Sequence, residues 1–233
     1  MMKLDAIGRV TSATPRLIPG LARKALSMFD RRLQPLIQAT FTAPARVLVA
    51  SGVTANAVTL VGFLIGLAGA CFLASRSYLL ALLLLLLNRI FDGLDGAVAR
   101  LTGPTDRGAF LDVALDFFVY ASVPLGFALA DPPDNALAAC VLLFGFIGTA
   151  TSFLAFAIIA ERRGLSSLAF PQKGIYYLGG VTEGAETIAF FIAMCFLPDW
   201  FPVLAWVFAI LCFITAATRW FRGWQAFAGS ARE

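Results

Sequence analysis

Six apolar stretches, each of about 20 residues, constrain the fold of this chain more than any other feature. A helix of about 20 residues is long enough to cross the ~30 Å hydrocarbon core of a bilayer. The stretches run approximately over 57–75, 79–99, 109–130, 136–160, 175–197 and 201–221. The sequence therefore predicts an all-α integral membrane protein with six transmembrane helices.

The composition supports a membrane protein and excludes several other classes. Of the residues, 60% are hydrophobic and 14% are charged, whereas a typical soluble domain is about 25% charged. The basic residues flank apolar segments and form no polar face with interleaved aromatics, so the net charge of +4 does not indicate a nucleic-acid partner. The four cysteines lack paired spacing, and histidine is absent, which excludes zinc motifs and serine–histidine triads.

The distribution of lysine and arginine predicts the orientation in the membrane. Of the 18 basic residues, Arg76 alone falls on one side of the six predicted spans, and Arg89 lies inside a span. The segments that carry the others are expected to stay in the cytoplasm, because positive charge is retained there during insertion. We therefore predict a multi-pass protein with both termini cytoplasmic, in the inner membrane if the source is bacterial.

The N-terminal segment has the pattern of an interfacial arm. Apolar residues recur at helical spacing from Leu17 to Phe29, and Arg23 and Lys24 lie beside them, as in an amphipathic helix on anionic headgroups. A solvated, disordered tail is the alternative interpretation. The predicted division is an arm over 1–52, a six-helix transmembrane domain over 53–222 and a cytoplasmic tail over 223–233.

Four aspartates lie where the second predicted span ends and the third begins. An ionised carboxylate costs roughly 2.5–3.5 kcal/mol at the centre of a membrane helix, so these groups need protein, water or cations around them. Spacings of three and four residues place each pair on one helix face, and two antiparallel helices bring the faces together. An all-oxygen set suits Mg²⁺ or Mn²⁺, and we predict two ions. The four are Asp92, Asp95, Asp112 and Asp116.

Residues beside these aspartates suit phosphoryl transfer. Two metal ions stabilise the attacking and leaving oxygens of an in-line displacement at phosphorus. Gly96 and Gly108 allow a ligand to approach closely, and Arg100 is placed to bind a phosphate with two hydrogen bonds. The alternatives are a salt-bridged polar seam in which Arg89 and Arg100 partner some carboxylates, and glycines that serve helix packing.

One part of the chain resembles the signature of the CDP-alcohol phosphotransferases, also called the CDP-alcohol phosphatidyltransferase family. The matching run is Asp92-x-x-Asp95-Gly96-x-x-Ala99-Arg100, followed by Gly108-x-x-x-Asp112-x-x-x-Asp116, with eight positions fixed over 25 residues. Seven residues separate Arg100 from Gly108, where the usual motif has eight, and a shorter turn absorbs the difference. At the first span, Thr54-Ala55-Asn56-Ala57-Val58-Thr59 stands where the family often has Pro-Asn-x-x-Thr, so Ala55 replaces the proline.

The resemblance implies a transferase of phospholipid biosynthesis. Such an enzyme moves a phosphatidyl group from CDP-diacylglycerol to the hydroxyl of a small polar alcohol, releases CMP and uses two divalent metal ions. Asp116 would bind metal and take the proton of the attacking hydroxyl, and a homodimer is a candidate assembly. The implied metal ligands are Asp92, Asp95, Asp112 and Asp116, and the implied donor-binding residues are Asn56, Thr59, Gly96, Ala99, Arg100 and Gly108.

The acceptor site is the part of the function that the sequence constrains least. Lys173 and Arg219 suit a phosphorylated acceptor, although the positive-inside rule also accounts for basic residues at the cytoplasmic side. Glu183 and Glu186 would repel a phosphate and favour an amino-alcohol or a neutral polyol. Alternatively, Glu183 neutralises Arg219 or Lys173. We take these four residues as candidates for the acceptor pocket.

Three other functions are alternatives to this one. A CDP-amino-alcohol phosphotransferase acting on a lipid acceptor would use the same motif. A cation carrier also has intramembrane aspartates, but its site usually lies near the membrane midplane, whereas these aspartates cluster at one face beside an arginine. A catalytically idle relative would be expected to lose a ligand, and all four aspartates are present.

Overall fold

The described part of the chain is a bundle of α-helices with no strand. A computed structural model describes residues 40–163 and 180–228, so Lys173 and most of the predicted interfacial arm lie outside the described residues. A single 3₁₀ turn, Pro198–Trp200, precedes the last helix. The helices are α1 (40–50), α2 (Ala55–Ala74), α3 (Tyr78–Thr102), α4 (Asp106–Ala130), α5 (Pro132–Arg162), α6 (Gly184–Phe196) and α7 (Phe201–Phe227).

Four helical segments are long and apolar enough to cross a membrane. They are α2, α4, α5 and the segment Pro198–Phe227, which joins the 3₁₀ turn to α7. Helix α3 has 25 residues but carries Arg89, Asp92 and Asp95 within it, and α6 has 13 residues. The all-helical membrane class predicted from the sequence is confirmed, and the number of six spans stays a prediction.

Capping residues and short turns define the bundle end that carries the aspartates. The Thr54 side chain accepts a hydrogen bond from the backbone N–H of Ala57 at 3.3 Å and begins α2. Thr105 accepts one from the N–H of Gly108 at 3.1 Å and begins α4. Gly103 follows the last residue of α3 with φ +96°, a conformation that favours glycine. Helix α4 therefore begins at the bundle end where α3 finishes.

Helix α2 packs closely against both α3 and α4. A Cβ atom added to Gly66 would lie 2.9 Å from both methyl groups of Val119 on α4 and 3.1 Å from Cγ of Asn88 on α3. Small residues allow membrane helices to approach at such distances. Helix α2 thus packs against both of the helices, α3 and α4, that carry the aspartates.

We expect Gly66→Ala to destabilise the protein. The new methyl group must displace Val119 or Asn88, and overpacking of this kind costs about 1–3 kcal/mol. Gly148→Ala is the matched control, because its Cβ would lie 3.5 Å from Cβ of Ala216, an ordinary contact distance. Far-ultraviolet circular dichroism during heating in detergent measures the effect. Equal midpoints for the two variants would show that α2 is not packed this tightly.

Helix α1 packs against the end of α3 that carries the aspartates. Ala45 is fully buried in a small apolar cluster with Ala97 and Val98. At the opposite end of the bundle, Arg76 forms an ion pair with Asp131, with Nη2 and Oδ2 3.1 Å apart. The Arg76–Asp131 pair thus lies where α3 begins and α4 ends, whereas the four aspartates lie toward the other end of these two helices.

Candidate active site

Three of the four aspartates form one cluster. Carboxylate oxygens of Asp92, Asp95 and Asp112 all lie within 4.8 Å of one another. The three side chains line a partly open cavity between α2, α3 and α4. Asp116 lines the same cavity but is outside the cluster. Two turns of helix, one on α3 and one on α4, thus supply carboxylates to one space.

Asp95 gives the strongest indication that the cavity suits a cation. The residue is 5% exposed, and its Oδ2 atom is buried without a hydrogen-bond partner. A buried carboxylate oxygen is costly unless a cation or a donor compensates it. Two more carboxylates lie beside it, and hard oxygen ligands are those that Mg²⁺ and Mn²⁺ prefer. The donor set therefore fits a divalent metal ion.

Arg89 lies at the site, although the motif assigns it no role. Its Nη2 atom donates to Oδ1 of Asp116 at 2.6 Å, and its Nη1 atom is 3.8 Å from Oδ2 of Asp92. Nη1 also donates to the Tyr120 hydroxyl at 3.0 Å. The spacings could have indicated only which of these residues share a helix face: Arg89 precedes Asp92 by three, and Tyr120 follows Asp116 by four.

Three of the predicted donor-binding residues lie where α2 and α4 begin. Thr59 lines the cavity with the aspartates, and its hydroxyl donates to the Ala55 carbonyl at 3.0 Å. Oδ1 of Asn56 lies 3.0 Å from the position that a Cβ atom of Gly108 would occupy. The structure therefore brings Asn56 and Gly108 into contact and places Thr59 beside the carboxylates.

The other three predicted donor-binding residues lie at the end of α3. The Nη1 atom of Arg100 is 3.3 Å from the position that a Cβ atom of Gly96 would occupy, so the guanidinium lies over this glycine. Arg100 is exposed, and Ala99 is half-buried. A guanidinium in this position is accessible to a phosphate that approaches the aspartate cluster from the end of the bundle.

Glu183 and Glu186, predicted at the acceptor pocket, form a capping box at the start of α6. The Glu183 carboxylate accepts from the backbone N–H of Glu186, and Oε2 of Glu186 accepts from the N–H of Glu183 at 3.0 Å. Oε1 of Glu183 also accepts from the N–H of Gly180 at 2.9 Å. Both carboxylates thus satisfy backbone donors that a helix start leaves unpaired. An acidic pair at this spacing before an apolar run was the signal for this role.

Arg219 is buried where α5, α6 and α7 meet. It is 7% exposed, and its Nη1 atom donates to the Thr149 carbonyl at 3.0 Å. The neighbouring Thr215 hydroxyl accepts from the backbone N–H groups of Val181 and Thr182, at 3.1 and 3.0 Å. The start of α6 is therefore fixed to α7 next to Arg219.

Known proteins are similar to this chain in sequence and in fold. The family model for CDP-alcohol phosphatidyltransferase matches residues 52–221. Inner membrane protein YnjF of Escherichia coli (strain K12) is 48% identical over 206 residues, which cover 88% of this chain and 100% of that protein. The archaetidylinositol phosphate synthase of Pyrococcus horikoshii is 28% identical over 192 residues, covering 81% of this chain and 93% of that protein.

Two crystal structures of the Mycobacterium tuberculosis phosphatidylinositol phosphate synthase PgsA1 have the same fold. The structure with CDP-DAG bound has a TM-score of 0.67 at 23% identity and covers 83% of this chain and 98% of its own. The complex with manganese and citrate has a TM-score of 0.66 at 24% identity, covering 83% and 93%. The family match over 52–221 spans most of the chain, and this protein therefore belongs to the CDP-alcohol phosphatidyltransferase family of membrane transferases.

Proposed function

We propose that this protein transfers a phosphatidyl group from CDP-diacylglycerol to the hydroxyl of a small polar alcohol and releases CMP. The observation that carries the proposal is the carboxylate cluster of Asp92, Asp95 and Asp112 around a buried, unpartnered oxygen. The eight-position motif of the family surrounds this cluster. CDP-DAG bound to PgsA1, which has the same fold, supports the choice of donor.

The proposed metal ligands are Asp92, Asp95 and Asp112, with Asp116 as a fourth carboxylate in the same cavity. Four carboxylates are the basis for proposing two ions, and manganese in a PgsA1 complex supports a divalent metal. When bound, Mg²⁺ or Mn²⁺ supplies a Lewis acid that stabilises negative charge on the phosphate and on the leaving group.

Donor binding is proposed at the surface formed by the starts of α2 and α4 and the end of α3. Arg100 would bind a phosphate of the donor through its exposed guanidinium. The Asn56 amide and the Thr59 hydroxyl offer hydrogen bonds next to the carboxylates. Small side chains leave space for the nucleotide at Gly96, Ala99 and Gly108.

Asp116 is the proposed general base. Its carboxylate would take the proton of the acceptor hydroxyl as the hydroxyl oxygen forms a bond to the phosphorus of the phosphatidyl group. The bond from that phosphorus to the CMP oxygen breaks, and CMP leaves. Asp116 lines the cavity of the clustered carboxylates, which supports a role for this residue as the base.

The acceptor is proposed to bind beside Arg219 and the start of α6. Names of two similar proteins, a phosphatidylinositol phosphate synthase and an archaetidylinositol phosphate synthase, support a polyol acceptor. Glu183 and Glu186 cap α6, so we propose that they shape this region through the helix start. Lys173, outside the described residues, stays a predicted contributor.

We propose that the chain crosses the membrane six times, through α2, α3, α4, α5, the segment that contains α6, and α7, with the termini and the active site on the cytoplasmic side. Helix α3, with 25 residues, is about 37 Å long, which is enough to span the hydrocarbon core. The aspartates lie at the bundle end that also carries Arg100 and Arg107, whereas Arg76 lies at the other end. The similarity to an inner membrane protein supports this placement. A homodimer and the three-part division of the chain also stay predictions.

Release of CMP tests the proposed function. Purified protein in detergent, with Mg²⁺ or Mn²⁺ and labelled CDP-diacylglycerol, is incubated with a panel of polyols, polyol phosphates and amino-alcohols. We expect one class of alcohol to yield CMP and a new phospholipid in equal amounts, and EDTA to abolish both. Chromatography of CMP and mass spectrometry of the lipid measure the outcome. No CMP with any alcohol and either metal would contradict the proposal.

A further inference from the structure

Four hydrogen bonds and one longer ion pair converge on one half-buried guanidinium. The Arg89 side chain is 15% exposed and lies between α3 and α4. Nη2 donates to Oδ1 of Asp116 at 2.6 Å, Nη1 donates to the Tyr120 hydroxyl at 3.0 Å, and Nε donates to Oδ1 of Asn88 at 3.0 Å. Each of the three guanidinium nitrogens therefore has a defined partner.

The position of this guanidinium is fixed from two neighbouring helices. Nδ2 of Asn88 donates to the Gly62 carbonyl at 2.9 Å, which ties the Arg89–Asn88 contact to α2. The guanidinium carbon lies 4.8 Å from the centre of the Tyr120 ring, which adds a cation–π contact from α4. A charge that only balanced nearby carboxylates would need none of these directed contacts.

We infer that Arg89 is a positioning residue that orients the Asp116 carboxylate for proton transfer. The inference rests on the proposed function, in which Asp116 is the base. An aspartate side chain rotates about two bonds, so a base without an anchor samples several orientations. Arg89 binds Oδ1 of Asp116, and this bond fixes the plane of the carboxylate and leaves Oδ2 as the oxygen for the proton. The planar guanidinium of arginine, whose N–H donors point in fixed directions like a fork, can hold the carboxylate in one orientation. A lysine ammonium has no such fixed arrangement of donors.

The test compares three substitutions at the network with one at a second, more exposed arginine–aspartate ion pair. Arg89→Lys keeps the charge and removes the fork, Arg89→Gln removes both, and Tyr120→Phe removes one hydroxyl from the network. Arg76→Gln is the control, because Arg76 also pairs with an aspartate, Asp131, but at the opposite end of the bundle.

We expect kcat for CMP release to fall about a hundredfold in both Arg89 variants, a loss typical of a misplaced catalytic group. Tyr120→Phe should lower kcat by a smaller factor, about threefold to tenfold, because the ion pair remains. The KM for CDP-diacylglycerol should stay within about twofold of wild type in all three variants. The binding of Mn²⁺, measured by electron paramagnetic resonance, should also stay within about twofold in Arg89→Lys and Tyr120→Phe, which keep a positive charge beside Asp92. It should not weaken in Arg89→Gln, which removes that charge. Arg76→Gln should match wild type in all three measurements.

Two results would overturn the positioning role. Wild-type kcat in Arg89→Lys would show that charge alone is sufficient. Parallel losses of kcat and Mn²⁺ binding in Tyr120→Phe and both Arg89 variants would show that the network only holds the helices together. Failure of the proposed function can be distinguished from failure of the positioning role alone, because the wild-type protein would then release no CMP. In that case the positioning role would also be excluded.

Discussion

Asp95→Asn is expected to abolish both the binding of divalent ions and the release of CMP. Asp95 is 5% exposed, and its Oδ2 atom lacks a partner, so asparagine removes a ligand and places amide hydrogens where a cation should bind. We expect Mn²⁺ affinity to fall at least about a hundredfold, as for the loss of a charged ligand in a buried site. Turnover should fall by about a thousandfold or more. Titration of Mn²⁺ by electron paramagnetic resonance and the CMP assay measure the two effects.

The same substitution should stabilise the protein when no metal is present. It removes a buried charge that lies beside the carboxylates of Asp92 and Asp112, and their mutual repulsion falls with it. Mn²⁺ should raise the midpoint of thermal unfolding of wild type and leave that of the variant unchanged, because an ion stabilises the state that binds it. Asp134→Asn, an exposed position in the first turn of α5, is the control. Wild-type Mn²⁺ affinity in Asp95→Asn would exclude Asp95 as a ligand.

Helix periodicity is the reason that much of this site could be predicted. Residues three or four apart share a face, so the positions of Asp92, Asp95 and Asp112 on their helices followed from spacing, and the structure places the three together. Spacing along one helix does not define how two helices are placed against each other. The 2.6 Å contact between Arg89 and Asp116 depends on that placement, so the sequence indicates Arg89 only as one partner in an alternative polar seam.

Local rules were less informative at α6. Glu183 and Glu186 were interpreted by their charge as acceptor residues, whereas the structure shows their carboxylates on backbone N–H groups of a helix start. Apolar composition predicted a fifth span over 175–197, and the described helix there is Gly184–Phe196. A composition window does not define where a helix begins. The fold class, in contrast, depends on total apolar length and was predictable.

Asp116→Asn is expected to abolish turnover while the cluster still binds Mn²⁺. Asparagine keeps an oxygen that can accept the hydrogen bond from Arg89, so the network around Tyr120 and Asn88 should persist. The amide cannot take a proton, and loss of a general base lowers kcat by about 10²–10⁴-fold. We expect that fall in the CMP assay, with binding of CDP-diacylglycerol close to wild type.

Comparison of Asp116→Asn with Asp95→Asn separates the base from the metal ligands. If Asp116 acts mainly as the base, its variant should retain Mn²⁺ binding through Asp92, Asp95 and Asp112, because these oxygens lie within 4.8 Å of one another without it. The Asp95 variant should lose both activities. Turnover retained in Asp116→Asn would remove the base assignment, and it would also remove the reason for Arg89 to hold that carboxylate in a defined orientation.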